Sequence, residues 1–453
     1  MGNVGKTTRI ALIIIMALAA ALLVGVATAA LGGAPQASAV SGDNPFAGVK
    51  NVILFVADGT GAEHFELGRG LNGGPLYLDE IQWGGIGTLD TSSLDGVTNS
   101  AAAATALATG HKTHNGVLSM VPNTDGGYDP VPTVLELAMD PAGKWAGLIS
   151  DVAINDATPA AFAVHVTDRY SVEIAEEMRD QGIQILFGAK NAGPVTARAL
   201  LNLPGVTYIK SSQDLAPYFS GDKTWTAPMY GLMGGAALTY DLDREEVGVV
   251  GVQPTLPEMT KAALQNLSRD ADGFFLMVEG GAIDWVAHDR DPGSVGTEVI
   301  EFDQAVKVAY DWAEKRTDTL IVVTSDHETG GLAVDGKTNY TAIARQKAST
   351  EYTWNLITNG KITITQALES YMGVVNPTQK EIDLVTKNGE TGMSDVVSAR
   401  ANVTWGWSGK DDGGHTLTPV PIRAWGPGAT EFDGWNKAPN EWVGLELMQA
   451  ASN

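Results

Sequence analysis

From about residue 50 onward the chain alternates between two patterns, and this alternation limits the folds open to it more than any other feature. NVILFV (51–56), WAGLIS (145–150), IQILFG (183–188), FFLMVE (274–279) and TLIVVT (319–324) are short apolar runs ending in polar or glycine residues. Such runs mark strands buried on both faces. Between them lie stretches of helical periodicity, the clearest being EVIEFDQAVKVAYDWAEKR (298–316), where Val299, Phe302, Val306, Ala309 and Ala313 fall on one face. Strand and helix alternating over such a length predict an α/β fold: a doubly wound, mostly parallel central sheet with helices on both faces. Over residues 335–405 the strand pattern disappears and short helical pieces such as ITQALESYM and TQKEIDLVT replace it. Residues 40–453 are therefore read as a single domain, with 335–405 an inserted cap, or crown, beside the sheet.

In sheets of this kind ligands collect at the carboxyl ends of the strands, and there this chain keeps its chemistry. VADGTG follows the first run, MVEGGAIDW continues the fourth, and TSDHETGG ends the fifth. Asp284 and His288 are four residues apart in DWVAH, Asp326 and His327 are adjacent, and His415 lies in the glycine-rich GGHT. Carboxylate and imidazole together suit zinc. Each pair alone is common as a surface or capping pair, but three such elements in a chain with 7 His point to a metal site. Cysteine is absent, which excludes disulfides and thiolate ligation and leaves His, Asp, Glu, Ser and Thr as donors.

VTNSAAAATALATG (97–110) reads as a loop entering a helix, with Ser100 at the cap or in the first turn. There the free amide hydrogens and the positive helix end favour an oxyanion or a phosphoryl group; a plain helix cap is the alternative. The four alanines that follow let the first turn pack closely and leave space above the hydroxyl.

The N-terminal segment carries Lys6 and Arg9, an apolar run from Ile10 to Leu31, and small residues at Ala37, Ser38 and Ala39. This pattern predicts a signal peptide over residues 1–39, cleaved after Ala39, with an uncleaved membrane anchor as the alternative because the run approaches the roughly 20 residues that span a bilayer. Without it, 27 basic residues face 53 acidic ones, a net charge of -26. Such a field disfavours nucleic acid and anionic membranes as partners. It serves solubility, and a saline habitat is the sharper reading.

Taken in order, VADGTG, VTNSAAAATALATGHKTHNG, NDATPAAFAVHVTDR, FFLMVEGGAIDWVAH, VVTSDHETGG and GGHT, spread over about residues 50–430, resemble the motifs of the zinc- and magnesium-dependent alkaline phosphatases. The resemblance implies a secreted or periplasmic homodimer that hydrolyses small phosphate monoesters through a phosphoserine on Ser100, with two Zn2+ and one Mg2+. It implies that Asp284, His288 and His415 hold the first zinc, and that Asp326, His327 and one oxygen of Asp58 hold the second. The other oxygen of Asp58, with Thr158 and Glu279, would hold magnesium, and Arg169 would clamp two phosphoryl oxygens. His111 and His114 match no ligand and are given surface roles.

Two places depart from the family pattern. Asn99 stands beside the nucleophile where many members have an aspartate that pairs with the arginine, so Arg169 is expected to lose a charged partner and move more freely. Asn99 itself offers the substrate side of the site one amide-oxygen acceptor. Asp156 and Trp285 fill a pair of positions that varies in the family; they favour magnesium at the third site, held partly through water, with Trp285 over the rim of the first zinc or packed in the core. A phosphodiesterase or sulfatase of the same superfamily is the alternative enzyme, opposed by Thr158 and Glu279. A catalytically silent phosphate- or metal-binding surface protein is the non-enzyme alternative.

Overall fold

All five apolar runs become strands of one sheet. In the computed structural model, which describes residues 44–453 apart from 193–194 and 407–413, the sheet strands are β1 (Asn51–Ala57), β2 (Gly85–Asp90), β3 (Trp145–Ala153), β4 (Ile185–Ala189), β5 (Thr207–Tyr208), β6 (Met229–Met233), β7 (Phe274–Gly280), β8 (Thr319–Thr324), β9 (Val420–Trp425) and β10 (Ala438–Pro439). Their order is β10-β2-β9-β8-β1-β7-β3-β4-β6-β5. Strand β9 runs antiparallel to both neighbours, and the other pairings are parallel. The signal-peptide expectation for residues 1–39 lies outside the described residues. No helix among the described residues is long and apolar enough to cross a membrane.

Continuous apolar runs are required because both faces of the sheet are covered. Val52, Leu54 and Val56 of β1 join Phe275, Met277, Leu320 and Val322 in one core. Ile53 and Phe55 point the other way, with Leu276, Val278 and Ile321, into a second. The helices that cover these faces and carry the site are α1 (Ser100–Thr109), α2 (Ala157–Ala161), α3 (Ala282–His288), α4 (Pro292–Ala313) and α7 (Glu441–Ala451). Helix α4 starts where Asp291 accepts hydrogen bonds from the amides of Gly293 and Ser294, with Pro292 in the first turn. Its predicted face is buried as expected, and Phe302 meets Phe55 edge-on at 5.9 Å. Burying each such side chain contributes about 1.5–3 kcal/mol.

Helix α1 is buried on every side, which only small side chains permit at this density. Helix α7 crosses its end so closely that a Cβ on Gly444 would lie 2.4 Å from the Ala106 carbonyl oxygen and the Gly110 nitrogen. Region 335–405 is helical, as expected, and builds a small core of its own from Leu368, Met372, Val385, Met393 and Val396 around α5 (Gln379–Asn388) and α6 (Glu390–Ala401). Its chain ends are joined where Leu332–Ala333 pairs with Thr404–Trp405.

Candidate active site

The central strands β7, β1 and β8 end side by side, and their carboxyl ends supply most of the site. Asp58 follows β1, Glu279 is the penultimate residue of β7, Asp284 and His288 ride on α3, and Asp326 and His327 follow β8. His415 is brought in by a two-residue ladder in which it pairs with Thr329. Gly59, with φ +70°, lets the Asp58 loop lie against α3: a Cβ there would sit 2.7 Å from Asp284 Oδ1. Ser100 opens α1, so the helix amides face the same space as its hydroxyl.

His327 Nε2 is the hub. It lies 3.3 Å from Ser100 Oγ, 3.1 Å from Asp326 Oδ2 and 3.6 Å from Asp58 Oδ1. Its ring stacks on His415 with centroids 3.7 Å apart. His415 Nε2 faces His288 Nε2 at 3.1 Å and Asp284 Oδ1 at 3.7 Å, and His288 Nε2 is 3.4 Å from Asp284 Oδ2. Two groups that could hold a metal ion result, Asp284 with His327 and His415, and Asp58 with Asp326 and His327, the donor atoms of each lying within 4.8 Å of one another. Outer contacts fix the donors in place: His415 Nδ1 donates to the Thr98 carbonyl at 2.8 Å, and Thr329 Oγ1 donates to Asp284 Oδ1 at 2.6 Å. Asp58 turns its second oxygen to a third group, with Thr158 Oγ1 3.3 Å from Oδ2. Glu279 is buried nearby and accepts from Ser150 Oγ at 2.5 Å.

The charges in this space do not balance among themselves. Burial raises the Asp58 carboxyl well above its ordinary range, and Asp326 and Asp284 add repulsion. Burial likewise pushes Asp326 up to about 7 and Glu279 up to about 8. Burial also works against ionised Asp284, but His288, His415 and His327 outweigh it and hold that carboxyl low. His327 and His415 are driven toward the neutral form by burial. Asp58 Oδ1 and Asp326 Oδ2 are buried and make no hydrogen bond. Opposed imidazole nitrogens, orphaned carboxylate oxygens and a single guanidinium beside so many acids fit cations of the zinc and magnesium kind, which take these donors.

Arg169 is close to this space but not as expected. Its Nη2 pairs with Asp156 Oδ1 at 3.0 Å, so the loss of a charged partner anticipated from Asn99 does not occur. Asp156 also caps α2 by accepting from the Ala157 amide at 2.7 Å, and this fixes its carboxylate where the arginine reaches it. Burial opposes the Arg169 charge, while Asp156, Tyr170 and Asp58 together outweigh it and raise its pKa. Its Nε is buried and without a hydrogen bond. The Asn99 amide oxygen is spent on the backbone, accepting from Ala102 N and Gly116 N at 3.2 Å each. Trp285 is half-buried and packs against the apolar cluster that contains Val152, Ala282 and Val286. His111 is exposed, and His114 is half-exposed with Nδ1 2.8 Å from Asp95 Oδ1. The sequence pattern did not single out Ser150 or Thr329; a hydroxyl within or just beyond an apolar strand carries no signal of its own.

A hydroxyl at a helix start, flanked by clustered acids, imidazoles and a guanidinium, is equipped for phosphoryl transfer. The family model "Alkaline phosphatase" matches residues 49–192 and 196–450, and the chain belongs to that family. It is 33% identical over 417 residues to alkaline phosphatase 4 of Bacillus subtilis, covering 85% of this chain and 86% of that one. It is similar in structure to the cold-active alkaline phosphatase of a Shewanella psychrophile, at 25% identity and TM-score 0.75, over 88% of this chain and 98% of the other. The alkaline phosphatase of Thermus thermophilus shares the fold at TM-score 0.77 and 23% identity, over 92% and 95%. The chain is a phosphatase, a hydrolase of phosphate monoesters.

Proposed function

We propose that this phosphatase works through a covalent phosphoserine on Ser100, with two Zn2+ and one Mg2+ in the three ligand groups. The observation that carries the reading is the placement of Asp58: one oxygen faces His327, itself 3.3 Å from Ser100 Oγ, and the other faces Thr158. Asp284, His288 and His415 would hold one zinc, Asp326, His327 and Asp58 the other, and Asp58, Thr158 and Glu279 the magnesium. Ions in such positions neutralise developing charge and make oxygen nucleophiles available near neutral pH. Ser100 Oγ gives up its proton to solvent and attacks phosphorus in line as the bond to the alcohol oxygen breaks, and the alcohol leaves after taking up a proton from solvent. Arg169 and the first amides of α1 hold the non-bridging oxygens. Water then cleaves the phosphoserine, releasing inorganic phosphate and restoring the hydroxyl.

The test is Ser100→Ala together with chelation, assayed on p-nitrophenyl phosphate and its bis-ester. Ser100→Ala is expected to lose about 10³-fold or more in turnover. Chelated wild type should lose activity and regain it with zinc plus magnesium, and the bis-ester should react at least about 100-fold more slowly than the monoester. Wild-type turnover by Ser100→Ala sinks the covalent mechanism. Export and homodimeric assembly belong to the same reading, supported by the pattern of residues 1–39 and by the family resemblance; N-terminal sequencing of the released enzyme and its mass in solution check them.

A further inference from the structure

Segment 113–118, which carries His114, Asn115 and Gly116, runs between the loop before Ser100 and the chain leading to Arg169, and it is bonded to both. On one edge the Leu94 amide donates to the Thr113 carbonyl at 3.1 Å, and the Asn115 amide donates to Asp95 Oδ2 at 2.7 Å. Asn115 Nδ2 donates to the Val97 carbonyl at 2.9 Å, and its Oδ1 accepts from the Asn99 amide at 3.1 Å. The Asn99 side chain returns the contact by accepting from the Gly116 amide. On the other edge the Arg169 amide donates to the Gly116 carbonyl at 2.8 Å, and Leu118 and Val166 exchange backbone hydrogen bonds at 2.9 and 3.1 Å. Beneath, Thr105 of α1 donates to the Val117 carbonyl at 3.1 Å and accepts from the Ser119 amide at 2.9 Å.

Nucleophile and guanidinium are therefore hung on opposite edges of one short splint. Gly116 takes φ +88° at the point where the chain turns from one edge to the other, and a Cβ there would meet nothing, so the conformation rather than space calls for glycine. We infer that Asn115 is a positioning residue for phosphoryl transfer: by pinning both the Val97 carbonyl and the Asn99 amide, it sets the separation between Ser100 and the backbone of Arg169. The inference rests on the proposed roles of those two residues. Asn99 then acts on Arg169 through the Gly116 peptide, not through its guanidinium. Asn115 is exposed, so truncating it removes two hydrogen bonds without opening a cavity in the core.

The experiment is a double-mutant cycle of Asn115→Ala with Arg169→Ala on p-nitrophenyl phosphate, with inhibition by inorganic phosphate and the thermal midpoint measured alongside. With Arg169 present, Asn115→Ala is expected to lower kcat/KM about 10-fold and weaken phosphate inhibition by a similar factor, since displacement of about 1 Å can cost up to about 100-fold. With Arg169 replaced by alanine, the same change should cost less than about 2-fold, because the spacing no longer serves a clamp. Equal losses in both backgrounds, or no loss in either, overturn the positioning role. Wild-type activity of Arg169→Ala alone overturns instead the proposed role of Arg169, which separates the two failures.

Discussion

Two buried carboxylate clusters lie beside one another in this molecule, and their oxygens are satisfied in different ways. Asp58 and Asp326 share His327 at the strand ends, while Asp151, Glu298 and Glu301 bring their oxygens equally close between β3 and α4. Proximity does not distinguish them; what faces the oxygens does. Asp151 Oδ1 accepts from the Gly281 and Ala282 amides at 2.7 and 3.0 Å, Glu298 from Asp241 N at 2.6 Å, and Glu301 from Leu256 N at 3.1 Å. In the first cluster Asp58 Oδ1 and Asp326 Oδ2 make no hydrogen bond. Backbone amides in the second cluster do the work that cations would do in the first, and protons take up the remaining repulsion. The boundary is one peptide bond wide: Ser150 reaches Glu279 and its neighbour Asp151 joins the other cluster, because alternate residues of a strand face opposite ways.

The largest test of this contrast removes one acid from each cluster. Asp326→Ala should abolish at least about 10³-fold of the activity and lower the metal content measured by elemental analysis, because it takes an anionic donor from the group proposed to hold the second zinc. Glu301→Gln, with an amide oxygen still able to accept from Leu256 N, should stay within about 2-fold of wild type. Similar losses in both variants would erase the distinction. Ser150→Ala works at the boundary and has a middling effect. It leaves Glu279 free of its hydroxyl donor, and a loss of about 10-fold in magnesium affinity is expected, in the usual range for a contact one step removed from a metal. A magnesium titration of activity reads this, and an unchanged midpoint would place Ser150 with the structural cluster.

How much of this could be read beforehand depended on whether a residue's partner was local. The five central strands were legible because a strand covered on both faces must be apolar throughout. The half-exposed ones were not: β2 has Ile86 exposed, and β9 alternates buried and partly buried residues around Pro421 and Arg423. Strands β5 and β10 span two residues each, too short for any period. The candidate ligands Asp284, His288, Asp326, His327 and His415 stood out because acids and imidazoles are costly at strand ends unless they are used. The direction of an amide oxygen was not legible. Asn99 reads the same whether it faces Arg169 or caps α1, and only the fold shows that Asp156 reaches the guanidinium instead. Asp151 gave no warning either, since its amide partners Gly281 and Ala282 and its fellow acids on α4 all lie far along the chain.

The smallest effect is the most diagnostic of the second cluster, because it concerns protons alone. Burial, followed by repulsion from Asp241 and Asp151, raises Glu301 to about 8, and burial raises Asp151 to about 7. Both folded-state values exceed those of an unfolded carboxyl, so the folded chain holds protons that the unfolded chain has released. The stabilisation this brings is complete below about pH 4 and is lost as the pH rises through 7 to 8. At 1.36 kcal/mol per pKa unit and with relaxation of the site, on the order of 2 kcal/mol is at stake, or a few degrees in the thermal midpoint. Glu301→Gln removes one of these protons from the balance. The midpoint of the variant minus that of wild type, measured on the metal-loaded enzymes, should therefore increase between pH 6 and pH 9. Taking the difference cancels the pH dependence of the shared metal sites. A difference that stays flat or falls would remove the proton-sharing role, and stabilisation of wild type but not of Glu301→Gln by added calcium would show that the second cluster also takes a cation.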